Sequence, residues 1–169
     1  HCGGIEIPST NGNITFAAGE YVLKGGGLKL SGSNNTITGS ELMFYNTDDG
    51  GAYGNIDFSG SFNTIDLTAP TSGTYAGILF FGDRNSSSGD FKWKIAGGTN
   101  TNTMDGVVYM PTQLVEFSGD ASISGTCGVK IISKTISFNG NSLTFPTPGG
   151  GCASDNVRIP LGAQFILVL

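Results

Sequence analysis

The sequence predicts an all-β chain folded as a right-handed parallel β-helix, a β-solenoid, and three observations carry that prediction. The first is a stretch that recurs. Residues 27–38 read Gly-Leu-Lys-Leu-Ser-Gly-Ser-Asn-Asn-Thr-Ile-Thr, and residues 55–66 read Asn-Ile-Asp-Phe-Ser-Gly-Ser-Phe-Asn-Thr-Ile-Asp. The second is spacing: looser copies begin at Leu114 and Thr135, a worn one at Ile5, and their corners lie about one or a few multiples of 20–28 residues apart. The third is periodicity. Apolar residues alternate with polar ones at period two, and no stretch sustains the 3.6 period of a helix.

Each copy reads apolar–x–apolar, a Ser-Gly or Asn-Gly corner, then apolar–x–apolar again. Alternation sends Leu28 and Leu30, or Ile56 and Phe58, to one face of a short strand. A single unit cannot bury that face, but units stacked about 4.8 Å apart bury a continuous column. Right-handed connection between parallel strands is the strong default. At roughly 20–25 residues per coil the chain makes roughly seven coils. Leu30, Phe58, Phe117 and Phe138 are expected to point inward.

Taken in order, the chain gives strands Ile5–Ile7, Asn13–Phe16 and Tyr21–Leu23, and then a tight Gly25-Gly26-Gly27 corner. No helix pattern or Lys-Ser/Thr follows those glycines, so they are not a phosphate loop. The first strong repeat runs on to Leu42-Met43-Phe44-Tyr45. Residues 46–51 are a polar loop whose Asp48 and Asp49 read either as calcium ligands or, better, as a solvated turn, because spaced oxygen ligands are missing. After the second repeat, Pro70 and Gly73 mark a loop before Tyr75–Phe81, expected to be a strand buried on both faces or covered by a loop. The Gly82–Gly89 loop follows. Phe91, Trp93 and Ile95 alternate with two lysines as a half-buried strand, residues 99–103 read as a loop, and Gly106–Pro111 as another buried strand. The apolar tail Phe165–Leu169 suits a last strand or end cap, since an uncapped solenoid end exposes an aggregation-prone edge.

With 169 residues the chain suits one domain, 1–169, and its opening in mid-motif suggests excision from a longer secreted or membrane-anchored protein. Charged residues make up 12%, against about 25% in an average domain, so Ser, Thr and Asn dominate the polar surface. A net charge of −5 argues against nucleic acid and anionic membranes as partners. The single His, at position 1, leaves little material for histidine catalysis or metal sites, and no cofactor is expected. No apolar run reaches the roughly 20 residues that span a bilayer.

There are three cysteines and no C-x-x-C spacing. Cys127 and Cys152 stand about one coil apart, where adjacent rungs can meet, and a disulfide between them is expected. The alternative is buried, reduced core cysteine. Cys2 is left without a partner.

Several stretches together resemble a known family. They are Tyr75–Asn85 (YAGILFFGDRN), Gly106–Gln113 (GVVYMPTQ), Phe117-Ser118-Gly119, and Cys127 ahead of Ile136–Gly140. Cys2-Gly3-Gly4 and Gly19–Val22 fit the start of the same domain, and Cys152 with its apolar tail fits the end. In that order they resemble the C-terminal Gly-rich domain of TadG-like proteins of bacterial tight-adherence (Flp-type) pilus systems. Gly82 departs from the pattern, which implies a bulkier polar residue before Asp-Arg. The resemblance implies an extracellular, pilus-associated surface protein of the bacterial cell, exported across the inner membrane, and brings no active site with it.

Two functions follow as expectations. The first is a non-catalytic adhesion or structural module, with pilus components, a cell or abiotic surface, or glycans as partners. The alternative is a carbohydrate-binding or polysaccharide-degrading β-helix protein, a lyase or hydrolase, which would need carboxylates meeting over a groove. Asp57 occupies a slot that holds Lys29, Glu116 and Ser137 in other copies, and that change of character reads as solvent face. Asp83 and Arg84 are the pair to single out. They read as an anchor for an acidic or sugar ligand, or as loop furniture, with Arg84 tethered to backbone carbonyls and Asp83 capping the turn. The second reading is preferred. Asp83, Arg84, Asp48 and Asp49 are the binding candidates. Ice binding through flat Thr ladders is set aside, because Thr36-Ile37-Thr38 and Thr101-Asn102-Thr103 do not recur on each coil.

Overall fold

The computed structural model describes residues 2–50, 53–86, 90–95, 102–119, 123–139, 144 and 151–157. Among the described residues twelve strands form one curled sheet in which every strand pairing is parallel. They are β1 (Ile5–Ile7), β2 (Asn13–Phe16), β3 (Gly19–Lys24), β4 (Leu28–Leu30), β5 (Thr36–Gly39), β6 (Leu42–Thr47), β7 (Ile56–Phe58), β8 (Thr64–Thr68), β9 (Ile78–Gly82), β10 (Asp90–Ile95), β11 (Asn102–Gly119) and β12 (Val129–Asn139). Apart from these, the described residues include one turn of 3-10 helix, Ala153–Asn156. Among the described residues no helix is long and apolar enough to cross a membrane.

The pairings sort into three ladders. The first joins β1, β4, β7, β10 and the C-terminal parts of β11 and β12. The second joins β2, β5, β8 and the start of β11, where Thr103 also bridges Ser124. The third joins β3, β6, β9 and the middle of β11 to the start of β12. The repeats read from the sequence are the visits to the first two ladders, Leu28–Leu30 pairing with Ile56–Phe58 and Thr36–Gly39 with Thr64–Leu67. The first ladder has six strands among the described residues, short of the seven coils expected.

Period-two alternation fills the inside. Leu28, Leu30, Ile37, Ile56, Phe58 and Phe117 are buried, and Phe44 stacks on Phe80 with ring centres 5.3 Å apart. Each such side chain contributes about 1.5–3 kcal/mol on leaving water. Phe138 shares the inward slot of Phe117 but is less well covered. It stacks on Phe117 at 5.8 Å but remains 39% exposed, because β12 ends the ladder among the described residues and is covered on one side only.

The corners are held by asparagine. Asn35 and Asn63 are both nearly inaccessible. Asn35 N donates to Asn63 Oδ1 at 2.8 Å, Gly12 N donates to Asn35 Oδ1 at 2.8 Å, and the two amides donate onward to Ser9 O and Gly32 O. Buried backbone groups that a bend would orphan are thereby satisfied rung by rung. Gly26 lies at a corner where backbones touch: a Cβ there would stand 1.9 Å from Gly3 O.

Outside the first ladder, the slot read as indifferent solvent face has an order. Glu6, Lys29 and Asp57 follow one another in register, alternating in sign, with Lys29 Nζ 3.3 Å from Glu6 Oε1, and the next register positions hold Lys92 and Glu116. Like charges on neighbouring rungs would repel, so the slot changes character from copy to copy for an electrostatic reason.

Three local expectations need correction. Tyr75–Gly77 is not strand but turn, since Gly77 adopts φ +81° and its N–H bonds back to Pro70 O at 2.7 Å. Phe81, in β9, is not fully buried: its outward ring is partly covered, by Arg84 of the loop that follows. Asn102 and Thr103 lie in β11 rather than in a loop, paired with Ile65 and Asp66. The side chains of Asp90–Ile95 and the tail Phe165–Leu169 fall outside the described residues.

Candidate functional site

The four binding candidates leave one edge of the third ladder. β6 ends at Thr47 and β9 at Gly82, with Asn46 in register with Gly82, so Asp48-Asp49 and Asp83-Arg84 start from adjacent rungs. Asp83 N donates to Asn46 O at 2.9 Å and prolongs the ladder by one bond.

The Asp83 carboxylate is engaged on both oxygens. Oδ1 accepts from Asn85 N at 2.9 Å; Oδ2 accepts from Thr47 Oγ1 at 2.7 Å and from Tyr45 OH at 3.2 Å. The Asn85 N–H, followed by the Thr47 hydroxyl, holds this carboxyl below its ordinary range. A carboxylate stabilised this way is a weak base and a rigid strut. Burial raises the Tyr45 phenol, and the charge on Asp83 adds to that. The turn-capping role read from the sequence corresponds to the Asn85 bond.

Arg84 is placed differently from the expected tether to carbonyls. Its guanidinium lies over the Tyr109 ring at 5.1 Å and the Phe81 ring at 5.9 Å. Those rings belong to an outward file of the third ladder, Tyr45–Phe81–Tyr109, with centres 5.5 and 5.0 Å apart. A planar cation over an aromatic face gains about 0.5–1 kcal/mol at exposed sites without needing a carbonyl.

β11 braces the loop from the other side. Thr112 Oγ1 donates to Ser86 O, and Gln113 Nε2 reaches Ser86 O at 3.2 Å and Asp83 O at 3.3 Å. Beneath it, Asn46 Nδ2 donates to Gly54 O at 2.7 Å, while burial pushes the Tyr53 phenol up to about 12. On the neighbouring rung Asp48 Oδ1 accepts from Gly50 N at 3.0 Å, a local turn, and Asp49 is exposed beside Gly25. No three His, Cys, Asp or Glu side chains converge to hold a metal among the described residues.

Cys127 and Cys152 form a disulfide, Cα atoms 5.6 Å apart across 25 residues, which is consistent with an oxidising environment. Cys127 N and Gly128 N both donate to Asp105 Oδ1, and Lys130 pairs with Asp155, whose carboxyl is held low chiefly by that lysine. Cys2 is free and exposed.

The arrangement presents a braced protrusion bearing one guanidinium and several hydroxyls. Thr47, Tyr45, Tyr109, Thr112 and Gln113 were missed in the sequence because they lie 25–38 residues from their partners in the loop. Superposing the visits to the third ladder would have found part of the set, since Tyr45, Phe81 and Tyr109 share one slot. Comparison of the chain with family models, with curated proteins and with solved structures finds no match.

Proposed function

We propose that this chain is a non-catalytic adhesion or structural module at the bacterial cell surface, built as a right-handed parallel β-helix and associated with a tight-adherence (Flp-type) pilus. The β-helix is supported by three parallel ladders revisited in the same order, and the right hand by the general rule for parallel connections. The pilus setting rests on the resemblance to TadG-like C-terminal domains; the cell surface also agrees with the disulfide.

One observation carries the adhesion reading. The two irregular polar loops leave adjacent rungs of one edge, and the 83–86 loop is tied to the stack by Asp83, Thr112 and Gln113. Loops positioned by a rigid scaffold are where binding is usually mounted. Weak contacts suffice, because copies arrayed along a fibre add by avidity. The test compares beads bearing many copies with free monomer for binding to bacterial cells and abiotic surfaces. Beads should bind far better, and Arg84→Ala should weaken them with melting unchanged. Equal binding by beads and monomer, or turnover of a polysaccharide abolished by one Asp substitution, would refute the reading.

A further inference from the structure

Ice binding through threonine ladders was set aside in the sequence because Thr36-Ile37-Thr38 and Thr101-Asn102-Thr103 do not recur on each coil. On the outer face of the second ladder, register brings threonines together all the same. Thr15, Thr38, Asp66 and Thr103 follow one another across β2, β5, β8 and β11, and the Thr15 and Thr38 hydroxyls stand 3.1 Å apart. Beside this file lies an open groove of about 260 Å³, lined by Thr15, Thr38, Asp66 and Thr68 together with Phe16 and Gly39.

We propose that this groove binds a neutral sugar residue of a surface glycan. Its chemistry selects against other ligands. Among the described residues no cationic side chain lines it, and Asp66 is exposed, so anions are disfavoured. A single carboxylate with hydroxyls is a poor cage for a divalent cation, which wants several charged or carbonyl oxygens. A pyranose has an apolar C–H face and a rim of hydroxyls that both donate and accept. Here Phe16 supplies an apolar side, Asp66 two acceptor oxygens, and Thr15, Thr38 and Thr68 hydroxyls of either sense. Asp66 forms no hydrogen bond or ion pair among the described residues, so its acceptor capacity is not already engaged. The site lies on the second ladder, apart from the Asp83 edge on the third. It therefore gives the adhesion reading, on which it rests, a ligand class and a second contact face.

The test is saturation-transfer NMR on the intact chain with methyl glycosides of glucose, galactose, mannose and N-acetylglucosamine at millimolar concentration. Transfer to at least one glycoside is expected, reduced at least tenfold in Asp66→Ala and in Thr38→Val, with melting unchanged in both. Thr38→Val keeps the shape of the side chain and removes only the hydroxyl. No transfer to any of the four, or transfer that persists in both variants, overturns the proposal. Bead adhesion measured on the same variants separates the two readings: adhesion lost with Arg84→Ala but intact in Asp66→Ala keeps the module adhesive and rejects the groove.

Discussion

Thr47 Oγ1 donates to Asp83 Oδ2 at 2.7 Å, across 36 residues of sequence and one rung of the third ladder. That bond joins the roots of the two loops that carry the binding candidates. It makes the edge a single braced unit.

Acid should therefore loosen the edge before it melts the stack. The folded Asp83 carboxyl titrates lower than it would in an unfolded chain, so its contribution is complete above the unfolded value of about 3.9 and fades as pH falls through the folded value. Amide exchange at Asn85 and Ser86 should rise as pH falls below about 4, after correction for the intrinsic rate. Asp83→Asn should show raised exchange at neutral pH and lose most of that pH dependence. Identical pH profiles for wild type and variant would remove Asp83 from the brace.

Inward and end positions should respond differently to the same insult. Phe58 is 4% exposed and Phe138 39%. Phe58→Asp buries an unpaired carboxylate and should cost several kcal/mol, about 3 or more. Phe138→Asp, able to reach water, should cost about 1–2 kcal/mol. Urea midpoints measure both, and equal losses would contradict the register.

Much of this was legible in the sequence because period two is a local signal. Leu28–Leu30, Ile56–Phe58 and the Ser-Gly corners announce their strands with no partner in view. What set the long-range order was not local. Asp57 changes sign relative to Lys29 only because they are register partners, and the Thr15–Thr38–Asp66–Thr103 file exists only once rungs are aligned. β11 was hardest to parse, since one unbroken strand of 18 residues serves all three ladders in turn. Gly106, at φ +145°, and Pro111 stand at its two passages between ladders, but the strand runs through both without a break. At the candidate site Asp83 and Arg84 stood out as a charged pair in a chain poor in charge, whereas their partners Thr47 and Tyr109 carried no local mark.

The disulfide should be measurable by count and by energy. Unfolded, unreduced protein should show one reactive thiol, Cys2, per chain. Reduction should lower stability by about 3–4 kcal/mol, the chain-entropy value for a loop of this length. Three reactive thiols before reduction would mean that the bridge is absent from the purified protein.

Phe62 offers a substitution that should stabilise. It occupies the same corner position as Asn34, and Asn11 holds that position one rung earlier, all three at φ between +56° and +59°. Left-handed backbone costs an L-residue about 1–2 kcal/mol, and asparagine relieves part of that with its short polar side chain. Phenylalanine has no such relief, and at 56% exposed it recovers little by burial. Phe62→Asn should therefore raise stability by about 0.5–1 kcal/mol. Phe62→Ala is the control, because it removes the ring and keeps the backbone cost. If the alanine variant gained as much as the asparagine variant, the exposed ring and not the dihedral would be the source of the penalty.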